Sequence, residues 1–397
     1  MKFNPGFCRG FLLLMNQRKQ LRIGFYCSST SWGGLEMNVL RHAGWMKERG
    51  SEVVLFCVND SPLYHESKNV HMRVDRVVRN KKYGDRKNAR KLAEKVEKHE
   101  LDVLWIRDNR DMSVTGICKR YLKKRNIVLL YQQAMQLGVN KKDFIHTRRY
   151  SKIDIWISPL KFLADQVADK TRFPSERVHI IPLGLDVQKL LYQSIPQTQA
   201  RFELDLDTDV PMLGIIGRFD PLKGQMFVVN ALLELRKKFP NLQLLLVGEK
   251  TKGEAEEYFD DLQKTIERYG LSKAVHIRPF MANVGTFYKA VDVFVMASEG
   301  ETFGMVTIEA MLFGCKIIGT NTSGTPELLD WGEYGELYTP GKIREFCQAY
   351  ETLMIDEQRA EQKAKNAAKV ARERYDHYAE CEAIENVIHE ELEKKRK

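Results

Sequence analysis

Long apolar segments are missing from this sequence of 397 residues. A helix that spans a bilayer needs about 20 consecutive apolar residues, and the core of a signal peptide needs about 7 to 15. The apolar run nearest the start is only FLLLM, at 11–15. We therefore expect neither a spanning helix nor a cleaved signal. Residues 1–20 precede the first strand-like segment. We expect them to be either a flexible leader or an artefact of an upstream start codon, with Met15 as the alternative start.

Paired cysteine motifs and a nucleotide-triphosphate loop are also missing. The seven cysteines are scattered, with no CxxC pair and no grouping with histidine at metal-ligand spacing. This pattern excludes the usual structural zinc sites and is typical of small buried residues in a reducing compartment. No G-x-x-x-x-G-K-[ST] segment is present, so the sequence gives no support for hydrolysis of a nucleoside triphosphate.

Positive charge is concentrated in one half of the chain. Residues 1–190 contain 37 Lys and Arg against 19 Asp and Glu, whereas residues 191–397 contain 26 against 34. Such a field attracts an anionic partner, and a membrane surface, a phosphorylated acceptor and nucleic acid all qualify. Nucleic acid is the least favoured, because Tyr83 is the only aromatic residue in the basic run 79–91. We expect a cytoplasmic protein that attaches peripherally to the inner face of the plasma membrane.

Short apolar runs alternate with helical patterns in both halves of the chain. The first half gives LRIGFYC, EVVLFCV, LDVLWIR, NIVLLYQ, IDIWIS and RVHIIPL; the second gives MLGIIG, LQLLLVG, AVHIRPF, VDVFVMA and CKIIGT. This alternation predicts an α/β protein with two doubly wound parallel sheets, each covered by helices. The predicted organisation is a leader at 1–20, a domain at 21–190, a linker at 191–210, a second domain at 211–375 and a terminal helix at 376–397 that crosses back to the first domain.

The predicted linker contains three alternating acids, Asp205, Asp207 and Asp209. A D-x-D pattern can bind a metal ion. No loop glycine or further ligand accompanies it here, so we interpret these residues as part of a solvated hinge.

The segment SEGETFGMVTIEAMLFG, at 298–314, places Glu301 in a loop that leaves a buried strand and Glu309 in the helix that follows. The loop at the carboxyl end of such a strand faces the ligand crevice of an open sheet. The first helical amides, at about Gly304, Met305 and Val306, are expected to form a seat for a phosphate. Glu309 lies among apolar residues and needs hydrogen-bond partners, which either a bound polyol or a protein neighbour could supply.

Two further turns carry features of an anion site. GRFDPLKG, at 217–224, brings together Arg218 and Lys223, a pair suited to a diphosphate. Gly33 and Gly34 precede the first predicted helix and would let backbone approach a phosphate, although this Gly-Gly lacks the spacing of G-x-G-x-x-G.

Together, the early GG-LE, GRFDPLKG and the long segment SEGETFGMVTIEAMLFGCKIIGTNTSGTPELL resemble the retaining GT-B glycosyltransferases of the large group-1 family, over about residues 21–375. The resemblance implies two Rossmann-like domains that face each other across a cleft, a nucleotide-sugar donor held mainly by the second, a glycan or lipid-linked acceptor held mainly by the first, and no metal or other cofactor. The alternative is a noncatalytic GT-B subunit that binds nucleotide sugar within a glycan-assembly complex.

The same resemblance implies roles for individual residues. Glu301 would contact the sugar hydroxyls near the reacting face, and Glu309 would hold the ribose. Arg218 and Lys223 would bind the diphosphate, and Gly33 and Gly34 would approach the β-phosphate. The amides around Phe303, Gly304, Met305 and Val306 would contact the sugar and the phosphate, and the predicted catalytic residues are Glu301, Arg218 and Lys223. The sequence departs from the family in lacking a histidine near the end of a strand of the first domain; Asp108, Gln132 and Gln133 stand at the comparable places and are expected to line the sugar side.

Overall fold

The structure is a computed structural model that describes residues 20–123, 126–250 and 256–396. The predicted leader therefore lies, except for Gln20, outside the described residues. The chain divides into two compact units: the first comprises residues up to Ser158, Val167–His179 and the segment from Cys381 onward, and the second comprises Pro159–Gln166 and Ile180–Glu380. No helix in the described ranges combines the length and the apolar composition that crossing a membrane requires.

The first sheet has, in the described part of the chain, seven strands in the order β3-β2-β1-β4-β5-β6-β7. Neighbouring strands such as β1 and β4 pair in parallel. The strands are β1 Arg22–Cys27, β2 Glu52–Val58, β3 Val74–Val77, β4 Val103–Ile106, β5 Val128–Gln132, β6 Ile155–Ser158 and β7 Val178–Ile180, and the intervening helices are α1 Gly34–Glu48, α2 Pro62–Asn69, α3 Arg86–Lys98, α4 Met112–Cys118, α5 Phe144–Tyr150 and α6 Lys161–Lys170.

The second sheet has six strands within the described residues, in the order β10-β9-β8-β11-β12-β13. Its strands are β8 Met212–Ile216, β9 Gln243–Val247, β10 Val275–Arg278, β11 Val293–Met296, β12 Lys316–Thr320 and β13 Glu336–Tyr338, and its helices are α7 Val187–Tyr192, α8 Gln197–Glu203, α9 Gln225–Leu235, α10 Glu256–Arg268, α11 Val284–Ala290, α12 Met305–Phe313, α13 Thr325–Leu328, α14 Ile343–Ile355 and α15 Glu357–Arg374.

Alternate residues of the second sheet belong to two separate cores, as the period of a strand requires. Met212 and Ile216 of β8 pack in a cluster with residues of α11, α12 and α15. Leu213 and Ile215 of the same strand pack with residues of α9, α10 and α14. The sheet is therefore covered by helices on both faces, and the prediction of two doubly wound parallel sheets is confirmed.

The segment predicted as a linker at 191–210 is not an open connection in the structure. It contains α8, from which Arg201 donates to the backbone oxygen of Ala290 at 2.9 Å and forms an ion pair with Asp292 at 2.8 Å. Ala200 is fully buried in a core of the second unit. The polar composition of the segment concealed this helix because its anchoring contacts are made by a buried arginine.

The last helix, α16 His377–Arg396, belongs to the first unit from Cys381 onward. Its apolar stripe places Ile384 and Ile388 in fully buried positions. Two ion pairs fix it to other segments of the first unit, Glu385 with Arg49 at 2.7 Å and Lys395 with Asp154 at 2.8 Å.

Candidate functional site

The strand order of the second sheet places two loops side by side. The chain runs outward from β8 to β9 and β10 and then returns to β11 on the other side of β8, so the order reverses between β8 and β11. In open α/β sheets a crevice forms at this reversal, outside the carboxyl ends of the strands. The loops 217–224 and 297–304 leave β8 and β11 at that point.

The loop 217–224 is held by backbone and side-chain hydrogen bonds. The Phe219 amide donates to the Glu249 oxygen at 2.9 Å, and Gln225 Nε2 donates to the Arg218 oxygen at 2.8 Å. The Asp220 carboxylate accepts from the Leu222 amide and caps a short 3-10 turn over Pro221–Lys223. The backbone of Arg218 is thus fixed while its side chain remains exposed.

Gly224 allows the two loops to approach closely. Its φ of +76° lies in the left-handed region, and a Cβ atom there would lie 2.5 Å from the Ala297 oxygen. Any other residue would be strained and would push the loops apart. The close packing of the loops at this glycine brings Lys223 toward Glu301.

Lys223 and Glu301 form an ion pair across the two loops. The Lys223 Nζ lies 2.8 Å from Glu301 Oε2, and the side chains are 33% and 18% exposed. Both groups are therefore partly shielded yet reachable from solvent. The pair places one cation and one carboxylate together in the crevice.

Helix α12 begins directly beside this pair. Gly304 caps it in the left-handed conformation, with φ +91°, and the Thr307 amide donates back to the Gly304 oxygen at 2.9 Å. The amides of Met305 and Val306 come before that first hydrogen bond, where helical N–H groups have no partner within the helix. Phe303 has a buried side chain in the core, so only its backbone is available to the crevice.

Glu309 is half-buried and meets a tyrosine that the sequence analysis did not consider. The Tyr288 hydroxyl oxygen lies 2.8 Å from Glu309 Oε2 and 3.1 Å from the Val306 oxygen. Burial, together with the Glu309 charge, raises the pKa of Tyr288 well above its ordinary value, so this hydroxyl keeps its proton and acts as a donor. A protein neighbour thus contributes to the hydrogen bonding of Glu309.

Two more polar groups near the crevice were missed by sequence reasoning. The Thr307 Oγ1 is buried and has no hydrogen-bond partner among the described residues. It would lie 3.3 Å from a Cβ placed on Gly304. Ser323, in the loop after β12, donates to the Glu299 oxygen at 3.3 Å. In the sequence, only the position of Thr307 in the first turn of α12 could have indicated a place at the crevice. No sequence motif or spacing indicated Ser323.

Gly33 and Gly34 lie in the first unit, at the start of α1. Gly33 is the N-cap and has extended backbone, with φ −171°. A Cβ on Gly34 would meet no atom within 4 Å. The backbone conformation does not require glycine here, and the absence of side chains leaves the start of α1 open.

Gln132 and Gln133 are fully buried rather than exposed on a surface. The Gln132 Oε1 accepts from Trp105 Nε1 at 3.2 Å and from Arg107 at 2.6 Å. The Gln133 Oε1 accepts from Trp156 Nε1 at 3.1 Å and from the Ser158 hydroxyl. Each amide oxygen therefore has two donors inside the sheet.

Asp108 is partly exposed and caps a short turn by accepting from the Arg110 amide at 2.8 Å.

Within the described ranges, no group of three His, Cys, Asp or Glu side chains is arranged to hold a metal ion. Two of the three alternating acids take part in hydrogen bonds within the protein. Asp207 accepts from Gln243 at 2.7 Å, while Asp205 has a positive φ of 52° and offers its backbone oxygen to Arg278.

Two α/β units with parallel, doubly wound sheets and a strand-end crevice in the second define the GT-B fold class. Solved structures agree: HepE of Anabaena, crystallised in complex with UDP, matches with a TM-score of 0.82 and 23% identity, over 93% of this chain and 100% of that one. This likeness establishes the fold.

The family follows from the sequence itself. The model for group 1 glycosyl transferases matches residues 196–370, and the model for glycosyltransferase family 4 matches residues 32–189, so that the two together extend over most of the chain. The chain belongs to the group-1 GT-B glycosyltransferases, which confirms the resemblance inferred from its motifs.

Curated relatives are similar over part of their length. A D-inositol 3-phosphate glycosyltransferase of Corynebacterium jeikeium is 29% identical over 185 residues, which are 45% of this chain and 44% of the relative. The lipopolysaccharide core glycosyltransferase LpsE of Rhizobium meliloti is 31% identical over 156 residues, 39% of this chain and 43% of the relative. The matches thus span less than half the length of either relative.

Proposed function

We propose that this chain is a retaining glycosyltransferase that moves a sugar from a nucleoside diphosphate sugar to an acceptor in cell-envelope glycan synthesis, without a metal ion. The observation that carries the proposal is the convergence of Lys223, Glu301 and the first amides of α12 at the strand-end crevice. HepE was crystallised with UDP and with UDP-glucose, which supports the donor class. The name of LpsE as a lipopolysaccharide core biosynthesis glycosyltransferase supports the pathway class.

The chemistry requires stabilisation of a leaving group. The bond between the anomeric carbon and a β-phosphate oxygen breaks, and negative charge develops on the diphosphate. Lys223, held by Glu301, and the Met305 and Val306 amides are positioned donors of the kind that lower the energy of such a charge, because they need little reorganisation as it forms. Arg218, whose side chain is exposed, adds a second cation from the neighbouring loop. In this proposal these groups do the work of a divalent cation.

Retention follows if the acceptor oxygen attacks the anomeric carbon on the face from which the diphosphate departs. The acceptor oxygen forms the new bond to the anomeric carbon, and its proton passes to the departing phosphate oxygen. The leaving group then serves as the base, and no protein base is assigned. Glu301 orients the sugar hydroxyls and Glu309 the ribose.

A panel of nucleoside diphosphate sugars tests the proposal. Purified protein, with an acceptor-containing extract and a chelator, should release nucleoside diphosphate from one donor and yield a product with the anomeric configuration of that donor. Binding of a donor without turnover would favour the noncatalytic subunit instead. Turnover that depends on added metal, or a product with inverted configuration, would contradict the metal-independent or the retaining part of the proposal.

We further propose that the protein works in the cytoplasm, attached peripherally to the inner membrane face through the basic residues of its first half. Each Lys or Arg near an anionic surface contributes about 1 kcal/mol. Co-sedimentation should then rise with the anionic lipid content of vesicles and fall with salt. Binding that is independent of anionic lipid would contradict it.

A further inference from the structure

A pocket in the first unit collects arginine side chains and no acid. Its volume is about 390 Å³, and it lies between the start of α3, helix α4 and helix α5. Five of its fourteen lining residues are cationic and none is acidic, all of them in the described part of the chain; the cations are Arg86, Arg120, Arg148, Arg149 and Lys152. A concave surface of one sign concentrates ligands of the opposite sign.

Arg149 is the centre of this pocket, because it is buried and incompletely paired. Arg149 is only 7% exposed, and its Nε and Nη2 have no hydrogen-bond partner among the described residues. The guanidinium lies 5.3 Å from the centre of the Tyr83 ring. Burial lowers the pKa of Arg149, the direction expected for a cation that has lost part of its hydration.

Two carboxylates of the first unit, Asp143 and Asp108, have hydrogen-bond partners that do not line the pocket. Asp143 accepts from the His146 amide and the His146 ring, and Asp108 accepts from the Arg110 amide. Over the described ranges, no ion pair joins Arg149 to an acidic side chain. Two buried N–H groups of a guanidinium in a fork arrangement fit two oxygens of a phosphate.

The rim of the same pocket is apolar. Phe144 and Ile145, the first two residues of α5, line it and are 74% and 62% exposed. Large apolar side chains exposed beside a cationic pocket suit a ligand that has a phosphate and an apolar part, as burial of apolar surface contributes roughly 25 cal/mol per Å².

We propose that this pocket binds the phosphate group of the acceptor, an assignment that rests on the proposed transferase function. Arg149 holds the phosphate, Arg120 and Arg148 add charge at the mouth, and Phe144 and Ile145 contact the remainder of the molecule. The shared chemistry is a phosphate ester, carried either by a soluble compound or by a lipid head group.

Binding can be measured without turnover. Glycerol 1-phosphate serves as the soluble probe, and phosphatidylcholine vesicles with and without phosphatidylglycerol serve as the lipid probe, all at physiological ionic strength. Arg149→Gln should weaken binding by about tenfold or more, the scale for losing a hydrogen bond to a charged group. A second variant replaces the two exposed arginines together, Arg120→Gln with Arg148→Gln, and should also weaken binding. Because it leaves the buried Arg149 in place, it tests the pocket even if Arg149→Gln fails to fold.

A matched control removes two arginines of the first unit outside the pocket. Arg172→Gln with Arg177→Gln makes the same change in net charge at exposed positions, and binding should change less than about twofold. Pocket-dependent binding of glycerol 1-phosphate would show that a phosphate ester suffices, and pocket-dependent binding only of phosphatidylglycerol vesicles would show that the lipid is needed; either supports the proposal. Equal loss in the control pair, or no binding of either probe, would overturn it.

The donor assay separates this inference from the proposed function. Donor turnover by a protein that binds neither probe overturns the pocket alone. Pocket-dependent phosphate binding by a protein that turns over no donor overturns the proposed function and, with it, the assignment of the phosphate to an acceptor.

Discussion

Lys223 Nζ lies 2.8 Å from Glu301 Oε2, which joins two loops that are 78 residues apart in the chain. An ammonium has three N–H donors, so Lys223 can keep this contact and still donate to a phosphate oxygen. The carboxylate has about four lone-pair sites in all, so it can also accept from sugar hydroxyls. In the proposed mechanism the pair therefore lies between the diphosphate and the sugar of the donor.

Replacement of Lys223 by alanine tests the charge role. Lys223→Ala should lower kcat by about 100-fold or more, the scale for removing one preorganised donor from a developing charge. Lys237→Ala is the control, since Lys237 is exposed in the same unit and forms an ion pair with Glu234, three residues before it. A near-normal rate for Lys223→Ala, measured by nucleoside diphosphate release, would remove this residue from the mechanism.

Tyr288 is predicted to position Glu309 for the donor. Tyr288→Phe removes the hydroxyl 2.8 Å from Glu309, and loss of one hydrogen bond to a charged group should raise the donor KM by about tenfold with a smaller change in kcat. Tyr338→Phe is a matched control, because the Tyr338 hydroxyl is buried without a partner among the described residues. If kcat falls and KM does not, Tyr288 acts elsewhere than on donor binding.

Asp111 should make the first unit less stable as pH rises. It is fully buried and accepts from the Ser28 amide and hydroxyl; burial, then the charge of Asp108, raises the pKa of Asp111 to about 8. The folded state holds this proton more tightly than the unfolded state, whose carboxyl titrates near 4. The contribution of Asp111 to the free energy of unfolding has its full value below about pH 4 and is lost as pH rises toward 8.

The matching experiment compares thermal unfolding at pH 5 and pH 7. Asp111→Asn cannot ionise, so the wild type should lose about 1 to 3 kcal/mol more between these pH values than the variant. Asp169→Asn, at an exposed position, should lose as much stability between these pH values as the wild type does. Identical pH profiles for the wild type and Asp111→Asn would show that Asp111 does not titrate in this range.

The terminal helix should contribute strongly to stability. Ile388 of α16 is fully buried, and Ile388→Ala should lower the free energy of unfolding by about 2 to 5 kcal/mol, the range for such truncations in a core. Ile355→Ala removes the same atoms at a position that is 81% exposed and should cost far less. Equal midpoints of thermal unfolding for both variants would mean that α16 packs loosely.

The doubly wound sheets could be predicted because their strands are continuous apolar runs. Strand β3, with the sequence VDRV, was missed since it lies at the sheet edge and is only partly buried. Helix α8 was missed for a different reason: its burial depends on Arg201, whose partners at Ala290 and Asp292 are about 90 residues away. Composition shows the polarity of such a residue but not the contacts that satisfy it.

Some residues of the candidate site could likewise be predicted from the sequence, and others could not. Gly224 and Gly304 marked the two loops in the sequence, and both have the positive φ that glycine permits. Tyr288 gave no signal, because it meets Glu309 only through the packing of α11 on α12. Gln132 and Gln133 were expected to line the sugar side, yet tryptophans of neighbouring strands donate to them inside the sheet. Cross-strand partners of this kind are set by register, which a single sequence does not reveal.

The most direct test is calorimetric titration of the nucleoside diphosphate that the donor panel releases, with chelator present, into the wild type and into Arg218→Ala, Lys223→Ala and Lys237→Ala. We predict binding to the wild type and to Lys237→Ala, and a loss of about tenfold or more in affinity for each of the other two. Equal affinity in all four proteins, or binding only when a divalent metal is supplied, would contradict a crevice in which side chains and helix amides alone hold the diphosphate.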